Sequence, residues 1–180
     1  MMRKKPMLAY PVSDKPIDYS KPTFIQPKLD GVRCMAFLNE VPKKATFENV
    51  VLYTRQRKEY TGFVDLRKEL FPALFDMYNM TDNESLYIDG EFYKHETSLQ
   101  TISGAVRNPD RANIANYKDI KYHIFDTFYP SELDMEFEDR HDLVIETFNS
   151  FKTQNLVEMV KTELCLNDVK CDAIYEKYIK

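Results

Sequence analysis

The sequence predicts an α+β fold, with antiparallel sheets flanked by helices. Three observations lead there. β-prone runs and segments of helical period follow one another irregularly along the chain, and no repeating strand–helix–strand order arranges them into a parallel sheet. A residue mix of 43% hydrophobic and 30% charged over 180 residues suits a soluble domain able to bury a core of its own.

The elements follow in chain order. Residues 1–22, rich in Pro and Lys, read as an irregular lead-in. Residues 23–28 are extended, and Asp30-Gly31 separates them from a second β-prone run, 32–38. Asp-Gly between two apolar runs predicts a hairpin. A strand over 50–54 precedes a basic polar segment, 55–58. Leu66, Leu70, Leu74 and Met77 recur at helical spacing and predict an amphipathic helix over 65–80, which Pro72 should kink or divide. Residues 85–93 hold the turn-like Asp89-Gly90 among strand formers, 97–106 suit a short helix, and 120–128 are strongly β-prone. Helix is expected over 137–151, strand over 156–164, and a closing helix over 167–178 with Asn167 as its N-cap.

Bulk chemistry removes several classes. The formal net charge of −4 argues against a surface that is wholly a nucleic-acid clamp, while leaving room for a local basic stripe. Cys34, Cys165 and Cys171 are odd in number and lack close pairing, so reduced thiols are expected rather than a disulfide framework or a zinc site. The basic N-terminus is not followed by an apolar stretch, so no signal peptide is expected. No apolar run approaches the roughly 20 residues that cross a bilayer. The expected setting is intracellular and soluble, with no membrane partner.

The chemistry concentrates in Lys28-Leu29-Asp30-Gly31-Val32-Arg33. A lysine at a strand end and an arginine on the adjoining strand would place an amine and a guanidinium in one cleft. An ammonium of ordinary pKa near ~10.4 is a poor nucleophile at neutral pH. Partial burial and a neighbouring fixed cation would both favour release of its proton, and an arginine stays charged throughout. Taken alone, the six residues fit equally a hairpin whose lysine and arginine are solvated.

KLDGVR resembles motif I of the covalent nucleotidyltransferases, the superfamily of DNA ligases, RNA ligases and mRNA capping enzymes. Further strings resemble later motifs of that superfamily in the expected order: Leu52-Tyr53-Thr54-Arg55 the serine/threonine–arginine motif, Ile88-Asp89-Gly90-Glu91 motif III, and Tyr122-His123-Ile124-Phe125-Asp126 motif IIIa. Thr54-Arg55 and the segment from Glu91 to Arg107 resemble the phage and viral ATP-dependent DNA ligases in particular. The resemblance implies an ATP-grasp-like nucleotidyltransferase core and a partial adenylation domain over 23–180. It implies that Lys28 attacks the α-phosphate of ATP to form lysyl-AMP, the intermediate for sealing nicks in DNA during replication, repair and recombination. Gln26 would contact the adenine edge, Arg33 and Arg55 the nucleotide and then the nick phosphate, and Phe125 the face of the adenine. Glu91 would bind the ribose and help hold Mg2+. Outside the motif context, Glu91 reads as an exposed strand acid and Phe125 as plain core.

The sequence also departs from the pattern. Where these ligases usually place a glycine two residues after the motif's arginine, this chain has Arg57. It contains no Glu-Gly pair for motif IV and no pair of lysines separated by one residue at its end for motif V. The core is therefore expected to be incomplete at the C-terminus, as an N-terminal fragment or a split gene product of a ligase, with a second polypeptide as one candidate source of the missing motifs. Partners would be ATP, Mg2+ and nicked double-stranded DNA, in the cytoplasm, or in the host cytoplasm for a phage or viral protein. Two other readings stand beside this one: an RNA ligase of the same superfamily, and an inactive nucleotide- or DNA-binding fragment.

Overall fold

The computed structural model describes residues 6, 11, 13–39, 45–81, 85–108, 119–149 and 155–178. The fold is mixed α+β. The chain divides into two compact units, one of Met1–Pro6 and Asp30–Met159, the other of Met7–Leu29 and Val160–Lys180.

The larger unit is built on a five-stranded sheet of β2 (Val32–Leu38), β3 (Val50–Thr54), β4 (Tyr87–Tyr93), β5 (Lys121–Phe128) and β6 (Val157–Met159), in the order β3-β2-β4-β5-β6. All neighbours are antiparallel except β5 and β6, which run parallel. Strand alternation sorts the residues onto two faces. Cys34, Ala36, Leu38, Val50, Leu52, Ile88, Phe92, Tyr122 and Ile124 share the main core with α1 (Val64–Met80), α2 (Leu99–Arg107) and α3 (Phe137–Asn149). Met35, Phe37, Val51, Tyr53 and Tyr87 form a second cluster, in which the Phe37 and Tyr87 rings stack at 4.7 Å.

Two charged side chains hold these layers together. Arg67 on α1 donates to the carbonyls of Val50, Tyr60 and Gly62, tying the helix to β3 and to the loop that follows it. Glu69, also on α1, accepts the backbone N–H groups of Leu156 and Val157 and so sets the start of β6. Pro72 does not divide α1, which runs unbroken through it. The proline is exposed, and so is Lys68, whose carbonyl loses its helical partner, so water can satisfy that group. Phe63, just before α1, is left-handed at φ 67°. That conformation costs about 1–2 kcal/mol, and the buried stack of Phe63 on Phe92 at 4.5 Å offsets it.

The expected hairpin at Asp30-Gly31 does not form. β1 (Thr23–Ile25) pairs with β7 (Glu163–Cys165) in a separate two-stranded sheet, while β2 pairs with β3 and β4. Gly31 has no positive φ; it serves a close approach instead. A Cβ there would stand 2.2 Å from the carbonyl oxygen of Phe92, which is backbone in a paired strand and cannot swing aside. Gly31→Ala is expected to cost about 2–3 kcal/mol, the upper range for overpacking, measured as a lower urea midpoint with an unchanged slope.

The strand expected over 156–164 is two strands in two sheets, β6 in the larger unit and β7 in the smaller. One β-prone run carries no mark of a change of sheet. In the smaller unit, α4 (Asp168–Tyr178) follows β7, and Asn167 Oδ1 accepts the Lys170 N–H at 2.9 Å as the expected N-cap. All three cysteines are free thiols, as expected. Burial and a hydrogen bond to Cys171 push the Cys165 thiol up to about 11. Among the described residues no helix is long and apolar enough to cross a membrane.

Candidate active site

Four residues stand in one row across the larger sheet: Arg33 on β2 opposite Glu91 on β4, Glu91 opposite His123 on β5, and His123 beside Glu158 on β6. Residues paired in register point to the same face, so the row is a continuous polar strip. Its centre is fixed by Gly31, whose N–H donates to Glu91 Oε1 at 2.9 Å. The glycine that permits close approach to β4 therefore also orients the motif III acid.

Arg33 is clamped. Its Nε and Nη2 donate to the two carboxylate oxygens of Asp89 at 2.8 and 2.5 Å, a bidentate geometry that sets the plane of the guanidinium. The same guanidinium lies 4.8 Å from the centre of the Phe125 ring. Burial pushes Asp89 above the usual carboxylate range, against the pull of Arg33. Burial opposes the charge on Arg33 as well, yet Asp89 and then Glu91 outweigh it, and the guanidinium is held more firmly protonated than usual. The pair register shifts between Asp89 and Gly90, a bulge that places Phe125 opposite neither residue. The "turn-like" Asp89-Gly90 thus lies inside a continuous strand. Asp126, next to Phe125, is held bidentately by Arg140 of α3 at 2.8 and 2.9 Å.

His123 is mostly enclosed, edge-on to the Tyr93 ring at 5.3 Å and 3.7 Å from Glu158. Burial lowers its pKa, with Glu158 opposing. His95 is an exposed histidine whose Nδ1 meets the Tyr93 hydroxyl at 3.1 Å.

Arg55 follows directly on the Cys34–Thr54 pair, so it leaves β3 at the end of the sheet where Arg33 stands. It is exposed. In the turn beyond it, Arg57 adopts φ 68°, at a cost of about 1–2 kcal/mol.

The smaller unit carries the other two expected residues. Gln26, one residue past β1, donates from Nε2 to Thr162 Oγ1 at 3.0 Å, and Thr162 in turn donates to the Val160 carbonyl. Its amide is thereby oriented. Lys28 lies two residues further on and is exposed, so the expected partial burial is not found; residues 26–30 form no regular element that would enclose it. Thus Arg33, Glu91 and Phe125 are brought together in one unit, with Arg55 at the same sheet end, while Gln26 and Lys28 belong to the other.

Sequence reasoning missed Asp89, Arg140 and Thr162. Asp89 stands in the same string as Glu91, but its partner lies 56 residues away, a separation that only the sheet register closes. No local signal marks Thr162 or Arg140.

Comparisons with known proteins agree with one another. A family model described as "ATP dependent DNA ligase domain" matches residues 6–180. The DNA ligase of African swine fever virus (isolate Tick/South Africa/Pretoriuskop Pr4/1996) is 26% identical over 157 residues, covering 87% of this chain and 33% of the viral protein. The chain therefore spans about a third of the length of the curated relatives it matches. Among solved structures, "Pmar-Lig_Pre." superposes with a TM-score of 0.66 at 18% identity, over 94% of this chain and 38% of that one. The ATP-dependent DNA ligase from bacteriophage T7, in complex with ATP, gives 0.55 at 13% identity, over 87% and 53%. At such identities these two likenesses are likenesses of fold.

Proposed function

Because the chain belongs to the ATP-dependent DNA ligase domain family, we propose that it is the nucleophile-bearing part of a ligase adenylation domain. Residues 1–22 are its lead-in and 23–180 the partial adenylation domain. The observation that carries this reading is the convergence of Arg33, Glu91 and Phe125 on one face of the larger sheet, with Glu91 and Arg33 each fixed by a second group. A guanidinium, a carboxylate and an aromatic ring suit a phosphate, a ribose and a purine.

In the reaction, the Lys28 amine attacks the α-phosphorus of ATP. A P–N bond forms, the bond to the bridging oxygen of pyrophosphate breaks, and the amine proton passes to solvent. Arg33 and Arg55 bind the phosphates, the oriented amide of Gln26 reads the adenine edge, Phe125 stacks on the base, and Glu91 holds the ribose. Among the described residues no cluster of three metal-binding side chains is found. Mg2+ is commonly held by one or two carboxylates and the substrate's own phosphates. Glu91 would be this chain's ligand, and the ion would offset charge on the phosphates.

The relatives are DNA ligases about three times as long as the matched region, which supports nicked DNA as the substrate of the assembled enzyme. Further chain, here proposed as a second polypeptide, would supply the remaining motifs. Replication, repair or recombination in the cytoplasm, a host's where the source is a virus, is the setting this implies.

The test is incubation with Mg2+ and ATP labelled at the α-phosphate, followed by denaturing electrophoresis and peptide mapping. A single adenylated peptide containing Lys28 is expected. An adduct at another residue, or a folded protein that takes no label, sinks the reading.

A further inference from the structure

The smaller unit has a thin core. Among the described residues its buried side chains are Val160, Cys165 and Ile174, while Leu164, Leu166, Val169 and Tyr175 stand exposed on β7, on α4 and between them. Its sheet has two strands, a size that is marginal by itself in water. A unit with so little core gains more than most from a covalent tie.

Two thiols stand where such a tie would go. Cys165 ends β7 opposite Thr23 of β1. Cys171 closes the first turn of α4, and its N–H donates to the carbonyl of the capping Asn167 at 3.0 Å. The helix packs back on the strand it follows, and the two thiols meet in a hydrogen bond. Their surroundings differ. Cys165 is 1% exposed, whereas Cys171 is only partly buried, and its sulfur also meets the Tyr19 hydroxyl, which hydrogen-bonds to Asp168 as well. A reachable thiol in contact with a sheltered one is the arrangement that disulfide exchange requires: the first meets the oxidant and the second resolves the intermediate.

We propose that Cys165 and Cys171 are a dithiol–disulfide couple, a site of reversible oxidation that staples α4 to the strand on which β1 is paired. The oxidant is a small-molecule disulfide of the glutathione type. The Cys171 thiolate attacks one of its sulfurs, a mixed disulfide forms, and one glutathione thiolate leaves. The Cys165 sulfur then displaces the second glutathione from Cys171. The two cysteines give their protons to solvent, and the two glutathione thiolates take protons up. Two protein thiols are thus oxidised to one disulfide while one small disulfide is reduced to two thiols. In reducing surroundings the pair stays a dithiol, the state described here. The site lies apart from any nucleotide chemistry, and its test reads none.

The experiment incubates the full chain in buffers of graded oxidised-to-reduced glutathione ratio, traps free thiols by alkylation and maps the peptides by mass. Under oxidising ratios a linked peptide joining Cys165 and Cys171, lighter by two hydrogens, is expected, and it should disappear when the ratio is reversed. Cys34, wholly buried in the larger unit, should remain a thiol throughout. Hydrogen exchange on the same samples should show the amides of β7 and of the first turn of α4 opening roughly tenfold less often in the oxidised form, the effect of closing a short loop. Cys171→Ser and Cys165→Ala should each abolish both the linked peptide and the difference in exchange.

Both thiols remaining open to alkylation at oxidising ratios overturns the couple. So does glutathione retained on Cys171, or a link from either cysteine to Cys34 or to a second chain. A Cys165–Cys171 link that leaves exchange unchanged overturns the staple.

Discussion

Lys28→Ala is expected to abolish transfer of label from ATP, by a factor on the order of 10^4 or more, because no other group replaces a covalent nucleophile at that position. Lys28→Arg should fail equally. Arginine keeps the positive charge and much of the length but is not deprotonated in proteins, so it has no lone pair to offer phosphorus. The pair of variants separates a nucleophilic role from an electrostatic one, since a purely electrostatic lysine would be rescued by arginine. Lys28 is exposed and lies outside every regular element, so both variants should unfold within about 0.5 kcal/mol of wild type. Arginine that restores labelling would remove Lys28 as the nucleophile.

The second large effect concerns Arg33 and Asp89. Arg33→Met leaves the Asp89 carboxylate, whose side chain is only 6% exposed, without its bidentate partner. Removing one member of a buried pair commonly costs 3–5 kcal/mol, and because Arg33 is partly exposed the lower end, about 3 kcal/mol, is expected. The loss should depend on pH. Burial already raises the Asp89 pKa above its unfolded value, and without Arg33 the opposing pull is gone. A carboxyl with a raised folded pKa binds its proton more tightly in the folded state, so the stability of Arg33→Met should recover as pH falls through that value. Urea titrations at neutral and mildly acidic pH would read this directly. The double variant with Asp89→Leu removes both charges and should return to within about 1 kcal/mol of wild type at neutral pH. It should still take no label from ATP, which separates what the pair does for the fold from the nucleotide contact proposed for Arg33.

How far the sequence reveals these features depends on the distance over which each is encoded. β2, β3 and β5 were legible because alternation and β-prone side chains are local, and α4 because Asn167 caps it from the preceding position. Which strand pairs with which was not legible. Asp30-Gly31 has the chemistry of a hairpin, yet Gly31 is required by the backbone of Phe92, far along the chain. Pro72 misled for a related reason: its effect depends on whether the orphaned carbonyl meets water, which composition does not tell. The motif residues were legible as strings, but their supporting partners were not. Asp89, Thr162 and Arg140 are joined to Arg33, Gln26 and Asp126 by hydrogen bonds across sheets and layers.

The pairing of β1 with β7 also orders events during synthesis. Thr23 meets Cys165 and Ile25 meets Glu163, so the strand that leads to Lys28 leaves the ribosome about 140 residues ahead of its sheet neighbour. At about 5–20 residues per second, the roughly 140 intervening residues impose a wait of about 7–30 s. During that interval Gln26 has no Thr162 to orient it, and a nascent chain that stalls before residue 160 carries the lysine on an unanchored segment. Translation thus keeps the segment that carries Lys28 without its sheet partner until about 140 further residues have been made.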